Sequence, residues 1–501
     1  MSVVTESVVQ GRFFAFGLAR SGERSGRSGT SRSGRPTAAL AAMGAILRHS
    51  QKGPSAAAAA LLTLLVFWAP LPFGSAGPVT GWALRLGVCL VVVLSAIGVR
   101  SLRGLHHLRL ALWGSIGLAA LAFLQSVPLP FAVVEMLSPV HGRLFAQAGE
   151  LLGEPVRAAL SLAPSASRGA AIGWAFVALY AMAGALVGRR RGPRRWLGGA
   201  LLFAALFQVF YGASGWLSGE TTIWGVQAPA TDQRLRGTFV NSDHLATYLQ
   251  LAQAVTFAWG WWGLRRSRWE VSAERRLALV APPILAGLTL FGGLVATGSR
   301  AGLVGAVLGL AAQGVLLAVA GRRLRWAPVG LGVGALALGA VILLGVGQGL
   351  GRFQATTAYE LLTGARAQAY QACWELWLRF PIFGSGAGTF REAFTLAQPS
   401  TLPGTWLHAH SDPLELLVTQ GLIGALLLGL VLFGLVRRLL RVLNLGERSE
   451  DRAAALAALG ALVSSAVHEL FDFGLTVSAN TLTIALLLAV AAAARTRPAD
   501  S

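Results

Sequence analysis

Two histidines stand two residues apart in Trp406-Leu407-His408-Ala409-His410-Ser411-Asp412. Imidazole changes charge near neutral pH, so it is the side chain best suited to taking a proton from an attacking hydroxyl. A His-x-His pair serves a metal ion as well, although no third ligand stands nearby, and such a polar run also ends membrane spans. All three readings stand at the level of this segment. A second cluster, His468-Glu469-Leu470-Phe471-Asp472-Phe473, adds three ionisable groups and reads either as a polar span terminus or as part of the same chemistry.

The arginines point to a different chemistry. Arg236 opens Arg-Gly-Thr-Phe-Val-Asn-Ser-Asp-His-Leu-Ala (236–246), which contains Asn241, and Arg300 lies in Thr-Gly-Ser-Arg-Ala-Gly (297–302). Ser299 is placed to cap a helix starting at Arg300, whose first-turn N–H groups favour an anion. A cation there is unfavourable by the helix dipole unless an anion joins it. A guanidinium offers a planar fork to two phosphate oxygens, so a phosphate-bearing ligand fits both arginines. Arg234, Arg352, Arg366, Arg379 and Arg391 fall in the same set of connections, with Asp232, Asp243, Glu360, Glu375 and Glu392 as local partners. Taken singly, each arginine also reads as an interfacial ion pair. The run Gly384-Ser385-Gly386-Ala387-Gly388-Thr389-Phe390 looks like a phosphate loop but lacks the strand before it and the Lys-Ser/Thr after it, so it reads as a tight turn.

The elements that must position these residues are membrane helices. Of 501 residues, 54% are hydrophobic and only 13% charged, with mean hydropathy +0.61. A soluble globular chain carries about 25% charged residues. Apolar runs long enough to cross roughly 30 Å of hydrocarbon occur at 57–74, 81–99, 108–126, 170–188, 197–218, 244–264, 277–297, 302–320, 327–347, 414–436, 453–471 and 476–494. Many of them are rich in Gly and Ala, as close helix packing in lipid requires. The fold class expected is therefore an all-α polytopic membrane protein of about twelve spans.

The net charge of +21 is almost all arginine, Lys52 being the one lysine. In so apolar a chain this excess argues for a membrane and against nucleic acid as partner. Arginines crowd the connections 100–109, 189–195, 265–276, 321–326 and 437–452, which the positive-inside rule assigns to the cytoplasm together with both termini. Two opposite connections are long, about 127–169 and 348–413. The second holds Tyr359, Tyr370, Trp374, Trp377 and Trp406 and is expected to fold as a small helical cap. Residues 1–55 include Ser/Gly/Arg-rich sequence that cannot bury a core and read as a disordered tail, with Met43 as an alternative start; 496–501 form a second tail. The expected organisation is thus tail 1–55, spans 56–347, outer loop 348–413, spans 414–495 and tail 496–501. Cys89 and Cys373 exclude a disulfide scaffold and a cysteine zinc cluster.

Taken in order, these motifs resemble those of the O-antigen ligase and polymerase superfamily of bacterial envelope proteins. Arg236-Gly237-Thr238-Phe239-Val240-Asn241 matches its Arg-Gly-x-Phe-x-Asn segment and Ser299–Gly302 its Ser-Arg-x-Gly turn. Arg366, Pro381, Gly384, Gly386 and Phe390 align with the outer-loop motif, with Ala365 separating Gly364 from Arg366 and Gly388 extra. His408–Asp412 matches His-x-His-Asn/Ser-Asp, with Ser411 where Asn is common, and Gly421–Gly424 follows. His468, Asp472, Phe473, Leu475, Ala479 and Asn480 match the last motif, with Ser478 where Pro is common.

The resemblance implies a GT-C-like membrane glycosyltransferase in the bacterial inner membrane, working at the periplasmic face with no metal and no cofactor. Its donor would be a glycan on undecaprenyl diphosphate; its acceptor would be a glycan, lipid A-core or protein hydroxyl. By the same token Arg236 and Arg300 would hold the diphosphate with Arg366 as a third clamp, and His410 would be the general base. His408, Asn241, Asp412, His468 and Asp472 would bind or orient substrate. Ligase, polymerase and protein O-glycosylation share these motifs. A transporter or flippase of an anionic lipid-linked substrate is the reading from a different class; it calls for inverted repeats and mid-membrane charges, and the sequence has neither an evident repeat nor charged motifs away from one surface.

Overall fold

Prolines and glycines break the apolar sequence into helices, and a computed structural model of the chain describes residues 52–98, 103–220, 222–227, 234–320 and 364–497. The first helices are α1 (Lys52–Trp68), α2 (Pro78–Gly98) and α3 (Arg109–Gln125), and the short α4 (Phe131–Leu137) and α5 (Pro139–Leu152) follow. Next come α6 (Pro164–Gly188), α7 (Arg191–Ser218), α8 (Ser242–Ser267), α9 (Ala273–Ala296) and α10 (Arg300–Ala320). After residue 363 come α11 (Ala365–Arg379), α12 (Phe390–Phe394), α13 (Asp412–Leu445), α14 (Ser449–His468) and α15 (Ser478–Ala492). The described strand structure is a two-residue hairpin, Thr222–Ile223 with Val226–Gln227.

Helices occupy eleven of the twelve expected span positions; the run 327–347 lies outside the described residues, as do residues 1–51, Met43, Arg352, Tyr359 and Glu360. Seven described helices are long and apolar enough to cross a membrane: α2, α3 with the turn before it, α6, α7, α9, α10 and α13. The chain is a mostly helical, polytopic membrane protein. α1 and α15 are apolar but shorter, at 17 and 15 residues. α8 and α14 are long enough and more polar, because they pack among helices rather than facing lipid: α8 lies against α9, α10 and α14, and α14 against α10, α13 and α15. Their buried polar residues include Thr247, Gln250, Gln253, Ser464 and Ser465. Small residues permit this packing. A Cβ on Gly305 would meet the Ser464 carbonyl at 2.6 Å, so α10 and α14 approach at backbone distance.

Several boundaries differ from the sequence reading. α1 ends at Trp68 rather than running to 74, since Pro70 and Pro72 cannot continue a helix. The basic stretches 191–195 and 437–441 are helical, not loop. Arginine is a good helix former, and its long stem lets the charge reach water from a helix end.

The described parts of the two long connections also form one structure. α11 and α12 bury Ala369, Cys373, Leu376, Phe380, Phe390 and Phe394 around a small core, against which Val140, Leu144 and Leu162 of the first connection pack. Gln125 at the end of α3 joins them to the bundle. Its side-chain amide donates to the carbonyls of Phe383 (2.5 Å) and Thr419 (3.3 Å), and its carbonyl accepts from Ala387 N–H at 3.0 Å. α13 is broken at Gly421, where φ is 62° and ψ −163°. The cap turn enters the break: Leu422 N–H donates to Pro381 O (2.9 Å) and Ile423 N–H to Ile382 O (3.2 Å). The stretch before the break therefore belongs to the cap and the stretch after it to the bundle.

Candidate active site

His410 sits in the last residues before α13 with φ of 53°, a backbone region that side chains with a Cβ rarely adopt. Neighbours hold it there. The Tyr370 hydroxyl on α11 donates to the His410 carbonyl at 2.7 Å, and Ala409 N–H donates to Glu415 Oε2 at 2.9 Å. His410 Nδ1 faces Asp472 Oδ1 at 3.9 Å, and the other carboxylate oxygen of Asp472 lies 3.6 Å from His468 Nε2. The Asp472 side chain is 4% exposed and that of His468 0%, whereas His410 is 31% exposed. Because Nδ1 itself is buried, the exposed edge of the ring is the Nε2 side. The arrangement is a carboxylate behind one imidazole nitrogen with the other facing outward.

Electrostatics favour a neutral His410. Burial lowers its pKa first, the charges of Arg366 and His408 lower it further, and Asp472 pulls the other way. Burial resists ionisation of Asp472, but the hydrogen bond and charge of His468, the charge of His244 and the Phe473 N–H together hold its carboxyl below the usual range. His468 is fixed on its other side by the Thr247 hydroxyl of α8, at 3.2 Å from Nδ1.

Phe473 sits among three histidines. Its ring stacks on His408 (4.4 Å between centroids) and meets His410 (4.8 Å) and His244 (4.9 Å) edge to face. His244 and Thr247 have no part in the sequence reading of the site. His244 stood three positions beyond Asn241 in the same motif, which was the available signal. The spacing that brings Thr247 to His468 belongs to the α8–α14 packing and had none.

The remaining sequence-predicted residues gather at the same end of the bundle. Arg300 begins α10, and Ser299 caps it by accepting Gly302 N–H at 3.3 Å while lying 3.5 Å from His468 Nε2. The Arg236 segment is tied to the end of α9 by Leu235 N–H to Ala296 O at 3.0 Å, and burial lowers the pKa of the Arg236 guanidinium, a cost an anion would offset. Its neighbour Arg234 pairs with Asp243 at 3.3 Å. Arg366, on the first turn of α11, donates to Phe471 O at 3.3 Å. Asn241 caps α8 by accepting Asp243 N–H at 2.8 Å. Asp412 N–H donates to Glu469 O at 2.9 Å, which ties α13 to the end of α14.

His408 turns away from His410 towards Glu415, at 3.1 Å from its Nδ1. Among the described residues no three His, Cys, Asp or Glu side chains converge as a metal site. The glycine-rich run is a tight turn, with positive φ at Gly384, Gly386 and Gly388. Its amides already donate within the protein: Ser385 N–H to Val418 O and Gly386 N–H to Thr419 O.

Residues 284–429 match the model of a family described as O-Antigen ligase. This chain carries a domain of the O-antigen ligase superfamily. The match suggests a membrane enzyme of the ligase/polymerase type. The matched stretch contains Arg300, Arg366, His408, His410 and Asp412, whereas Arg236, Asn241, His468 and Asp472 lie outside it and reach the same place through α8 and α14. No curated protein matches the chain.

Proposed function

We propose that the protein is a glycosyltransferase that moves a glycan from undecaprenyl diphosphate to an acceptor hydroxyl at the periplasmic face of the bacterial inner membrane. The observation that carries this reading is His410: a neutral, partly exposed imidazole backed by Asp472, at the bundle end where Arg236, Arg300 and Arg366 gather. In the reaction the acceptor hydroxyl gives its proton to His410 Nε2 and its oxygen bonds to the anomeric carbon. The bond from that carbon to the diphosphate oxygen breaks, and undecaprenyl diphosphate departs with the electron pair. A single displacement inverts the anomeric centre.

Each group answers one demand of that step. Asp472 favours the tautomer with its proton on Nδ1 and stabilises the imidazolium that forms, as a carboxylate behind a catalytic histidine does. Arg236 and Arg300, with Arg366, neutralise the charge that grows on the leaving diphosphate. Asn241, His408, Asp412 and His468 shape the place where donor and acceptor meet.

The test is transfer in vitro from an undecaprenyl-diphosphate oligosaccharide by the purified protein, with lipid A-core, a second lipid-linked glycan and a protein offered separately. Product with the first marks a ligase, with the second a polymerase and with the third a protein O-glycosylating enzyme. Failure with every acceptor would count against catalysis. A protein that binds the donor and shifts it between leaflets without cleaving it would instead be a transporter.

A further inference from the structure

The end of the bundle away from the histidines holds a crevice that the transfer reaction leaves unused. Asp451 and His468 lie near opposite ends of α14, separated by 17 residues, or roughly 25 Å at helical rise. Around the Asp451 end, helices α1, α7, α8, α14 and α15 enclose an apolar crevice of about 430 Å³, within the size range of small-ligand sites. Leu201, Leu202, Val255, Leu487 and Val490 line its walls. Gly198 and Gly199 leave the α7 side bare, and a Cβ added to either meets nothing within 4 Å.

The mouth is polar and basic. Arg191, Arg194 and Arg195 stand there with Glu450. Arg194 pairs with Asp451 at 2.7 Å and Arg195 with Glu450, whereas Arg191 has no acidic partner among the described residues. Trp259 and Trp262 line the crevice, Trp261 carries Arg265 over its ring at 5.3 Å, and Trp196 and Trp269 are exposed. Such a belt of tryptophans marks the depth where hydrocarbon gives way to headgroups. The arginines are thus at phosphate depth and the crevice below them at acyl-chain depth.

We propose that this crevice binds an anionic phospholipid, with one acyl chain against Gly198 and Gly199 and its phosphate at Arg191. A zwitterionic lipid brings its own cation and leaves the positive excess of the mouth uncompensated; a lipid with a net negative headgroup neutralises it. The bound lipid bridges α7, α14 and α15, so it steadies the helix whose far end carries His468.

The test uses the full chain purified in a neutral detergent and titrated with dioleoyl phosphatidylglycerol, dioleoyl phosphatidylcholine or glycerol phosphate, read by thermal unfolding and by native mass spectrometry. Phosphatidylglycerol should bind and protect at about tenfold lower concentration than phosphatidylcholine, and glycerol phosphate, which has no chain to fill the crevice, should not protect. Arg191→Gln should remove the preference for phosphatidylglycerol. Gly199→Leu should weaken both lipids by filling the crevice. Equal response to the two lipids, protection by glycerol phosphate alone, or an unchanged phosphatidylglycerol preference in Arg191→Gln overturns the proposal. Arg191 sits at the open mouth, so that variant decides the matter even if the leucine variant does not fold.

Discussion

A histidine with φ of 53° is held against its own backbone preference, and strain of this kind, about 1–3 kcal/mol, persists where surrounding contacts over-determine it. Tyr370 and Glu415 supply those contacts, which aim the exposed edge of His410 outward. His410→Gln should lower turnover by about 10²–10⁴-fold, the usual range for loss of a general base, while donor binding stays nearly intact; an assay of both quantities checks this. The pH profile offers a separate check on Asp472. Since burial and Arg366 hold the His410 pKa below its ordinary value and Asp472 opposes them, the base is already neutral at pH 7 and the acid limb of the rate profile should lie below about 6.5. Asp472→Asn removes the one carboxylate facing Nδ1, so the imidazolium loses support, the pKa falls further and the acid limb should move to lower pH as the maximal rate drops. An acid limb that moves upward would remove Asp472 from this role. At the donor, Arg300→Lys should raise the donor KM, because a lysine cannot reproduce the bidentate fork; steady-state kinetics against donor concentration reads it directly.

Among the elements, α13 shows how the cap is joined to the bundle. An unbroken helix from Asp412 to Leu445 would hold the His410 segment and the membrane stretch on one straight axis. The break at Gly421 lets the cap backbone at Pro381 and Ile382 take over the hydrogen bonds the helix gives up there. A Cβ at that position would strike the Ile382 carbonyl and the Gly384 amide, and the backbone angles are open to glycine alone. Gly421→Ala should therefore destabilise the fold by more than about 1–3 kcal/mol, seen as a lower thermal midpoint and as loss of activity in parallel. This junction was only half legible beforehand: Gly421–Gly424 stood out as a motif, and α11 and α12 fall within the stretch expected to fold as a helical cap. That the cap also rests on Val140, Leu144 and Leu162 was not legible, because the contacts join segments more than two hundred residues apart. The same cap explains Cys373, buried in its small core, where desolvation first and the charge of Glu415 second push the thiol up to about 12.

For the molecule as a whole, the arginines divide by place. Arg194 and Arg195 at one end pair with Asp451 and Glu450, and Arg438, only 6% exposed, donates to the carbonyls of Ala492 and Ala494 at the close of α15. These are structural anchors. If the basic end is cytoplasmic, Arg391→Cys in the cap and Trp269→Cys at the basic end, each in a chain lacking Cys89 and Cys373, should react oppositely with an impermeant maleimide applied to spheroplasts: the first labelled, the second protected. The reverse labelling would invert the proposed orientation.

The sequence by itself determined the membrane-spanning character, the positions of eleven of the fifteen described helices, and the residue types that have chemistry to offer. It could do so because hydrocarbon thickness, proline breaks and local charge rules act on contiguous residues. Which of those residues meet was decided only by tertiary packing. The His410–Asp472–His468 line draws on segments from either side of α13 and α14, and its supports on α8 and α11 lie farther away still. Small residues let α10 and α14 close to backbone distance and bring Ser299 beside His468, and no spacing along the chain encodes that approach.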